Sequence, residues 1–220
     1  MARAALIEHR PWLVASMVAA GLYYVLSDAP VGGVQLMALK GASVALLAIY
    51  ALRRAPATSD GRLIALVMAL GALGDLAIEL DFMAGGAAFA AAHLAAVLLF
   101  LRNRRPHPSP SQRLTALVLA VVTPLVSWLL SGDVAVAIYG TVLGLMAATA
   151  WLSRFGRYRV GAGAVLFVLS DGLIFSRMGP VGETVLADWL IWPLYYFGQF
   201  LIATGVVQAL RRHAPAARPV

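Results

Sequence analysis

The chain has 220 residues, of which 61% are hydrophobic and 12% charged, with a net charge of +7 and no cysteine. A soluble domain carries roughly 25% charged residues, so a water-exposed globular body is excluded. The absence of cysteine excludes disulfides, thiolate chemistry and cysteine-bound zinc or iron–sulfur clusters.

Apolar runs occur at Trp12–Ser27, Val31–Leu52, Leu63–Leu80, Phe82–Leu101, Leu114–Leu130, Val134–Leu152, Val160–Ser176 and Leu186–Leu210. Backbone in hydrocarbon must satisfy its own hydrogen bonds, and these runs lack the dyad alternation of a barrel strand. Each therefore predicts a helix. The expected fold is an all-α integral membrane protein of about eight transmembrane helices, a single polytopic domain over residues 1–220 with no room for a soluble one.

The loops sort by sign. Arg3 and Arg10 precede the first run; Arg53, Arg54 and Arg62 follow the second. Arg102, Arg104, Arg105 and Arg113 follow the fourth, Arg154, Arg157 and Arg159 the sixth, and Arg211, Arg212 and Arg218 the eighth. Fifteen of the 17 basic residues thus fall on one side. The other loops hold Asp28, Asp81, Asp133, Glu183 and Asp188, with Arg177 as the basic exception. The positive-inside rule places both termini in the cytoplasm, and a bacterial inner (plasma) membrane is the expected location. Basic residues in short clusters between apolar runs write topology rather than grip nucleic acid, which is not an expected partner. The first run also has the basic flank and apolar core of a signal peptide, but it is longer than a signal core and lacks a clean cleavage site. Leu73-Gly-Asp75-Leu-Ala-Ile78 in the third run echoes Leu169-Ser-Asp171-Gly-Leu-Ile174 in the seventh, as two parallel four-helix halves would require.

A charged side chain at the bilayer centre costs at least ~2.5–3.5 kcal/mol, so each demands a reason. Lys40 lies in helix two, Asp75 and Glu79 in three, His93 in four, Asp171 in seven, and Tyr195, Tyr196 and Gln199 in eight. At about 1.5 Å per residue, counted from the acidic loops, Asp75, Asp171 and Tyr195 lie about 9–10 Å down, Lys40 about 14 Å, and Gln199 and His93 roughly 17–18 Å. Helices of opposite direction therefore put their polar groups in one slab, the outer half of the membrane. Phe89 and His93 share a stripe of helix four with Gly85, as Tyr195 and Gln199 share one of helix eight. Other roles compete. Glu79 can snorkel outward, Lys40 can pair with an aspartate, and His93 can serve as an interhelical hydrogen-bonding residue. Tyr195 and Tyr196 are too deep for the interfacial aromatic belt, whereas Trp12, Trp128, Trp189 and Trp192 lie near span ends and fit it.

At these residues the chain resembles the YhhN family, the lysoplasmalogenases. The shared motifs are Gly74-Asp75, Phe82-x-x-Gly85 through Phe89-x-x-x-His93, Ser170-Asp171 and Tyr195-Tyr196-x-x-Gln199, in the family's order and over nearly the whole chain. The family pattern has Lys-Pro in helix two and a tyrosine three residues after the histidine; Gly41 and Ala96 stand there instead. The resemblance implies hydrolysis of the vinyl ether bond of a lysoplasmalogen, releasing a fatty aldehyde and a glycerophospho-ethanolamine or -choline. That chemistry needs a carboxylic acid to protonate the double bond, an anion to stabilise the oxocarbenium ion, and a base to activate water. On the resemblance Asp75 and Asp171 divide these roles and His93 positions water. Lys40 meets the phosphate or a carboxylate, and Glu79, Tyr195, Tyr196 and Gln199 bind polar substrate atoms. The expected partners are a lysophospholipid substrate and membrane lipids, with no cofactor.

Three rival functions use the same residues. A zinc hydrolase needs about three ligands, and His93 is the sole intramembrane histidine. A proton-coupled transporter would use the buried acids and broken helices, for which Pro124 and Pro193 are the mid-helix candidates. The third rival is a lipid-binding protein without catalysis.

Overall fold

The computed structural model describes residues 10–30 and 32–213. Arg3, Arg218 and Val31, used above for topology and for the start of helix two, lie outside the described residues. Among the described residues eight helices follow one another: α1 (Arg10–Leu26), α2 (Gly33–Arg54), α3 (Ser59–Ala77), α4 (Phe82–Arg102), α5 (Pro110–Ser131), α6 (Val134–Leu152), α7 (Ala162–Met178) and α8 (Val185–His213). A π-helical turn, Arg157–Gly161, leads into α7. Among the described residues six helices, α7 counted with that turn, are long and apolar enough to cross a membrane. The other two are α1, with 17 residues, and α3, whose 19 residues include Asp60, Arg62 and Asp75. Among the described residues there is no strand, only an isolated bridge between Arg104 and Ser153. The chain is an all-α, multi-pass membrane protein.

Local chemistry sets the helix ends. Asp81 and Asp133 accept hydrogen bonds from the backbone N–H of Ala84 and Ala135, so α4 and α6 start where the apolar runs start. Ser109 and Gln112 form a capping box with Pro110 at the first helical position, which begins α5 four residues ahead of its apolar run. Thr58 caps α3 by accepting from Gly61 N, and Asp60 sits in its first turn. This helix therefore begins four residues before Leu63 and ends at Ala77. The amides of Leu80 and Asp81 both turn back to the Ala77 carbonyl, which frees Asp81 to cap α4. Glu79 accordingly lies in the turn after α3, not inside a span.

The two ends of the bundle differ in charge. At one end Arg102 pairs with Asp60, Arg154 Nε donates to Asn103 Oδ1 at 2.8 Å, and Arg159 bonds Gln208. At the other, Arg177 pairs with Asp188. The backbone of Arg105 donates to Leu152 O and that of Arg154 to Asn103 O, which pins the basic ends of α4 and α6 together.

Lipid is as apolar as leucine, so the helices associate by close packing around small residues and by interhelical hydrogen bonds. Gly163 on α7 and Gly198 on α8 each bring a would-be Cβ to 2.8 Å from the other's carbonyl oxygen, so no side chain fits at that crossing. The two halves pack differently. Each of α1–α3 lies against its successor, whereas α6 packs chiefly on α5 and α4, and α7 on α8. At α1, Ser16 Oγ donates to Ser43 O and meets Tyr196 Oη at 2.8 Å, tying α1 to both α2 and α8.

Candidate functional site

Asp75 and Asp171 are buried, 1% and 5% exposed, and both line one cavity of about 510 Å³ toward the acidic end of the bundle. The wall combines Lys40 of α2, Asp75 and Ile78 of α3, residues 82–90 of α4, Tyr139 of α6, Ser170 and Asp171 of α7, and Trp192 and Tyr195 of α8. Apart from these few polar groups and Asp133, the residue that caps α6, the lining is apolar. Between α4 and α6 the cavity reaches the surface, where Met83 and Ile138 stand 66% and 64% exposed on either side of its mouth.

Each aspartate is held by a tyrosine from another helix. Tyr195 Oη donates to Asp75 Oδ2 at 2.7 Å, and Tyr139 Oη donates to Asp171 Oδ2 at 2.7 Å. Behind each hydroxyl stands a nitrogen donor: Gln199 Nε2 reaches Tyr195 Oη at 3.4 Å and His93 Nε2 reaches Tyr139 Oη at 3.0 Å. A phenol has one hydrogen to give, and here it goes to the carboxylate, so the imidazole Nε2 is the donor to Tyr139. Two matching chains result, amide–phenol–carboxyl and imidazole–phenol–carboxyl. They differ in that only the second begins with a group that titrates.

Aromatic packing fixes the geometry. Phe89, Phe167 and Tyr195 meet edge to face with ring centroids 5.1–6.2 Å apart, and His93 lies against Phe167 at 4.8 Å. Such contacts are directional and hold the rings in place. Phe89 and Tyr195 line the cavity, while Phe167 and His93 lie behind them. Glycine makes the room: a Cβ on Gly74 would sit 2.9 Å from the Phe89 ring, and one on Gly71 would sit 2.9 Å from Gln199 Nε2.

The residues singled out in the sequence are thus brought together unequally. Asp75, Asp171, Lys40 and Tyr195 line the cavity; Gln199 and His93 stand one hydrogen bond back. Lys40 pairs with Glu79 rather than with an aspartate, and Glu79 is not part of the lining. Tyr196 points away, toward Ser16 of α1. Trp192 is not a belt residue: it is buried, donates from Nε1 to Ala20 O at 3.0 Å, and stacks on Tyr196. Trp128 and Trp189 are exposed, as the belt requires. Tyr139 was passed over, although counting along α6 from Asp133 puts it about 9 Å deep, level with both aspartates. Among the described residues no three His, Asp or Glu side chains gather as a metal would need.

No curated protein and no solved structure matches the chain. A YhhN family model does match it, over residues 35–206, a segment that holds both aspartates, both tyrosine chains and every helix of the cavity wall. On that match over most of its length, the chain belongs to the YhhN family.

Proposed function

We propose that the protein is a membrane hydrolase that cleaves the vinyl ether bond of lysoplasmalogens. The observation that carries this reading is a pair of buried carboxyl groups, each held by a phenol, on the wall of one otherwise apolar cavity that opens between two helices. An alkenyl chain fits such a lining, and the two carboxyls supply an acid and an anion.

Asp171 protonates the outer carbon of the double bond and leaves an oxocarbenium ion at the carbon bearing oxygen. The Asp75 carboxylate stabilises that cation and takes a proton from the attacking water. The resulting hemiacetal transfers its hydroxyl proton to the glycerol oxygen as the carbon–oxygen bond breaks, giving an aldehyde and a glycerophospho-alcohol. The two hydrogen-bonded chains support this division of roles: a proton can return to Asp171 from His93 through Tyr139, whereas Gln199 offers Asp75 none, and the cycle closes when Asp75 releases the proton taken from water and the imidazole takes one up. His93 is then a positioning and relay residue rather than one that touches substrate. His93→Gln keeps an N–H donor but no exchangeable imidazole proton. It should lower kcat roughly tenfold, below the ~10²-fold scale of a direct acid, with an unchanged KM. An equal fall on His93→Ala and His93→Gln with a raised KM would point to packing alone.

The test of the reaction is mass spectrometry of the products that purified protein forms from alkenyl, alkyl and acyl lysolipids. Aldehyde from the alkenyl lipid alone supports the proposal. Intact lipid recovered bound, with no product, would make this a lipid-binding protein, and flux across liposomes without cleavage a transporter. We also infer that the basic end faces the cytoplasm. Reporter fusions after Arg54, Arg105, Arg159 and Arg212 should read cytoplasmic, and those near Asp28, Asp81 and Asp133 external. A cytoplasmic signal near Asp133 would overturn that orientation.

A further inference from the structure

A second cavity, of about 500 Å³, lies at the basic end between the first turns of α5 and the last turns of α6, and shares no lining residue with the first. Arg104, Arg105 and Arg113 stand at its head; Leu117, Leu145 and Leu152 are among its apolar walls, and no acidic residue lines it. The arginines of this corner differ in what they touch. Arg102 is paired with Asp60 and Arg154 with Asn103. Arg105 Nε, by contrast, is shut away from solvent and has no hydrogen-bond acceptor. No ion pair among the described residues involves Arg104, Arg105 or Arg113.

A buried, charged donor without an acceptor is costly, and a guanidinium matches the oxygens of a phosphate. A free phosphate would satisfy the arginines but leave the leucine wall, which includes Leu117 and Leu145 on the exposed flanks of α5 and α6, without an occupant. We propose that this groove binds one anionic glycerophospholipid of the surrounding bilayer. Its phosphate meets Arg105 between Arg104 and Arg113, and an acyl chain lies along Leu117 and Leu145. The anionic head is preferred because three unpaired guanidinium groups face no compensating carboxylate.

Native mass spectrometry of the full chain tests this, with phosphatidylglycerol, phosphatidylcholine and inorganic phosphate added in separate arms. Phosphatidylglycerol should be retained as a single adduct at least about tenfold more tightly than phosphatidylcholine, and inorganic phosphate should compete only weakly. Arg105→Gln and Arg113→Gln should each weaken that adduct about tenfold and narrow the preference over phosphatidylcholine. Arg113 is an exposed residue, so its variant carries the test should Arg105→Gln fold poorly. Equal retention of the two lipids, an adduct indifferent to both substitutions, or saturation by inorganic phosphate alone would each overturn the proposal.

Discussion

Asp75→Asn and Asp171→Asn should each lose at least ~10²-fold in turnover while the protein stays folded, the scale expected for removing a general acid or its partner base. Asparagine nearly preserves volume and still accepts the Tyr195 or Tyr139 hydroxyl through its amide oxygen, so the phenol chains survive. It also removes a costly buried ionisable group, so stability should hold or rise. If the two carboxyls act as one unit, the double variant should be little worse than either single one. Product release from an alkenyl lysolipid and thermal melting in detergent check the two halves of the claim. Well-folded, fully active variants would remove the aspartates from the chemistry.

Gly86→Trp should abolish most of the same activity by another route. Gly86 lines the cavity on α4, and a Cβ placed there meets nothing within 4 Å. An indole added at this point therefore enters the cavity without displacing the backbone. We expect a loss of about 10²-fold in kcat/KM, the scale set by misplacing substrate relative to its catalytic groups. Replacing a mid-helix glycine also removes its conformational cost of roughly 0.5–1 kcal/mol, so the melting temperature should not fall. Full activity in this variant would mean that substrate does not occupy the cavity.

Helix number and order were legible in the sequence because a bilayer leaves the backbone few choices. A run of about 20 apolar residues bounded by arginines or by a capping aspartate, as at Asp81 and Asp133, has one reading. Counting residues then places Asp75, Asp171 and Tyr195 at one level. What counting cannot supply is azimuth. Helix α6 is apolar around most of its circumference, so no polar stripe marks its inward face, and the Tyr195–Gln199 stripe of α8 does not say where Tyr196 turns. Tyr195 and Tyr196 were equivalent by depth; packing sends one to Asp75 and the other to Ser16. Trp192 looked like a belt residue and Tyr139 like an ordinary apolar one for the same reason. Glu79 was misplaced differently: turn chemistry, not hydropathy, ended α3 at Ala77.

The mouth between Met83 and Ile138 also has a kinetic consequence. Helices α4 and α6 are fastened to each other at the basic end, and the exposed lining residues Met83 and Ile138 turn the cavity toward the lipid beside their apolar flanks. Traffic through such an opening is two-dimensional. The encounter rate is then set by the mole fraction of the reacting lipid within the membrane plane and not by its amount per volume of buffer. Thinning that lipid with inert lipid in proteoliposomes, at a constant amount per volume of buffer, should slow turnover in proportion.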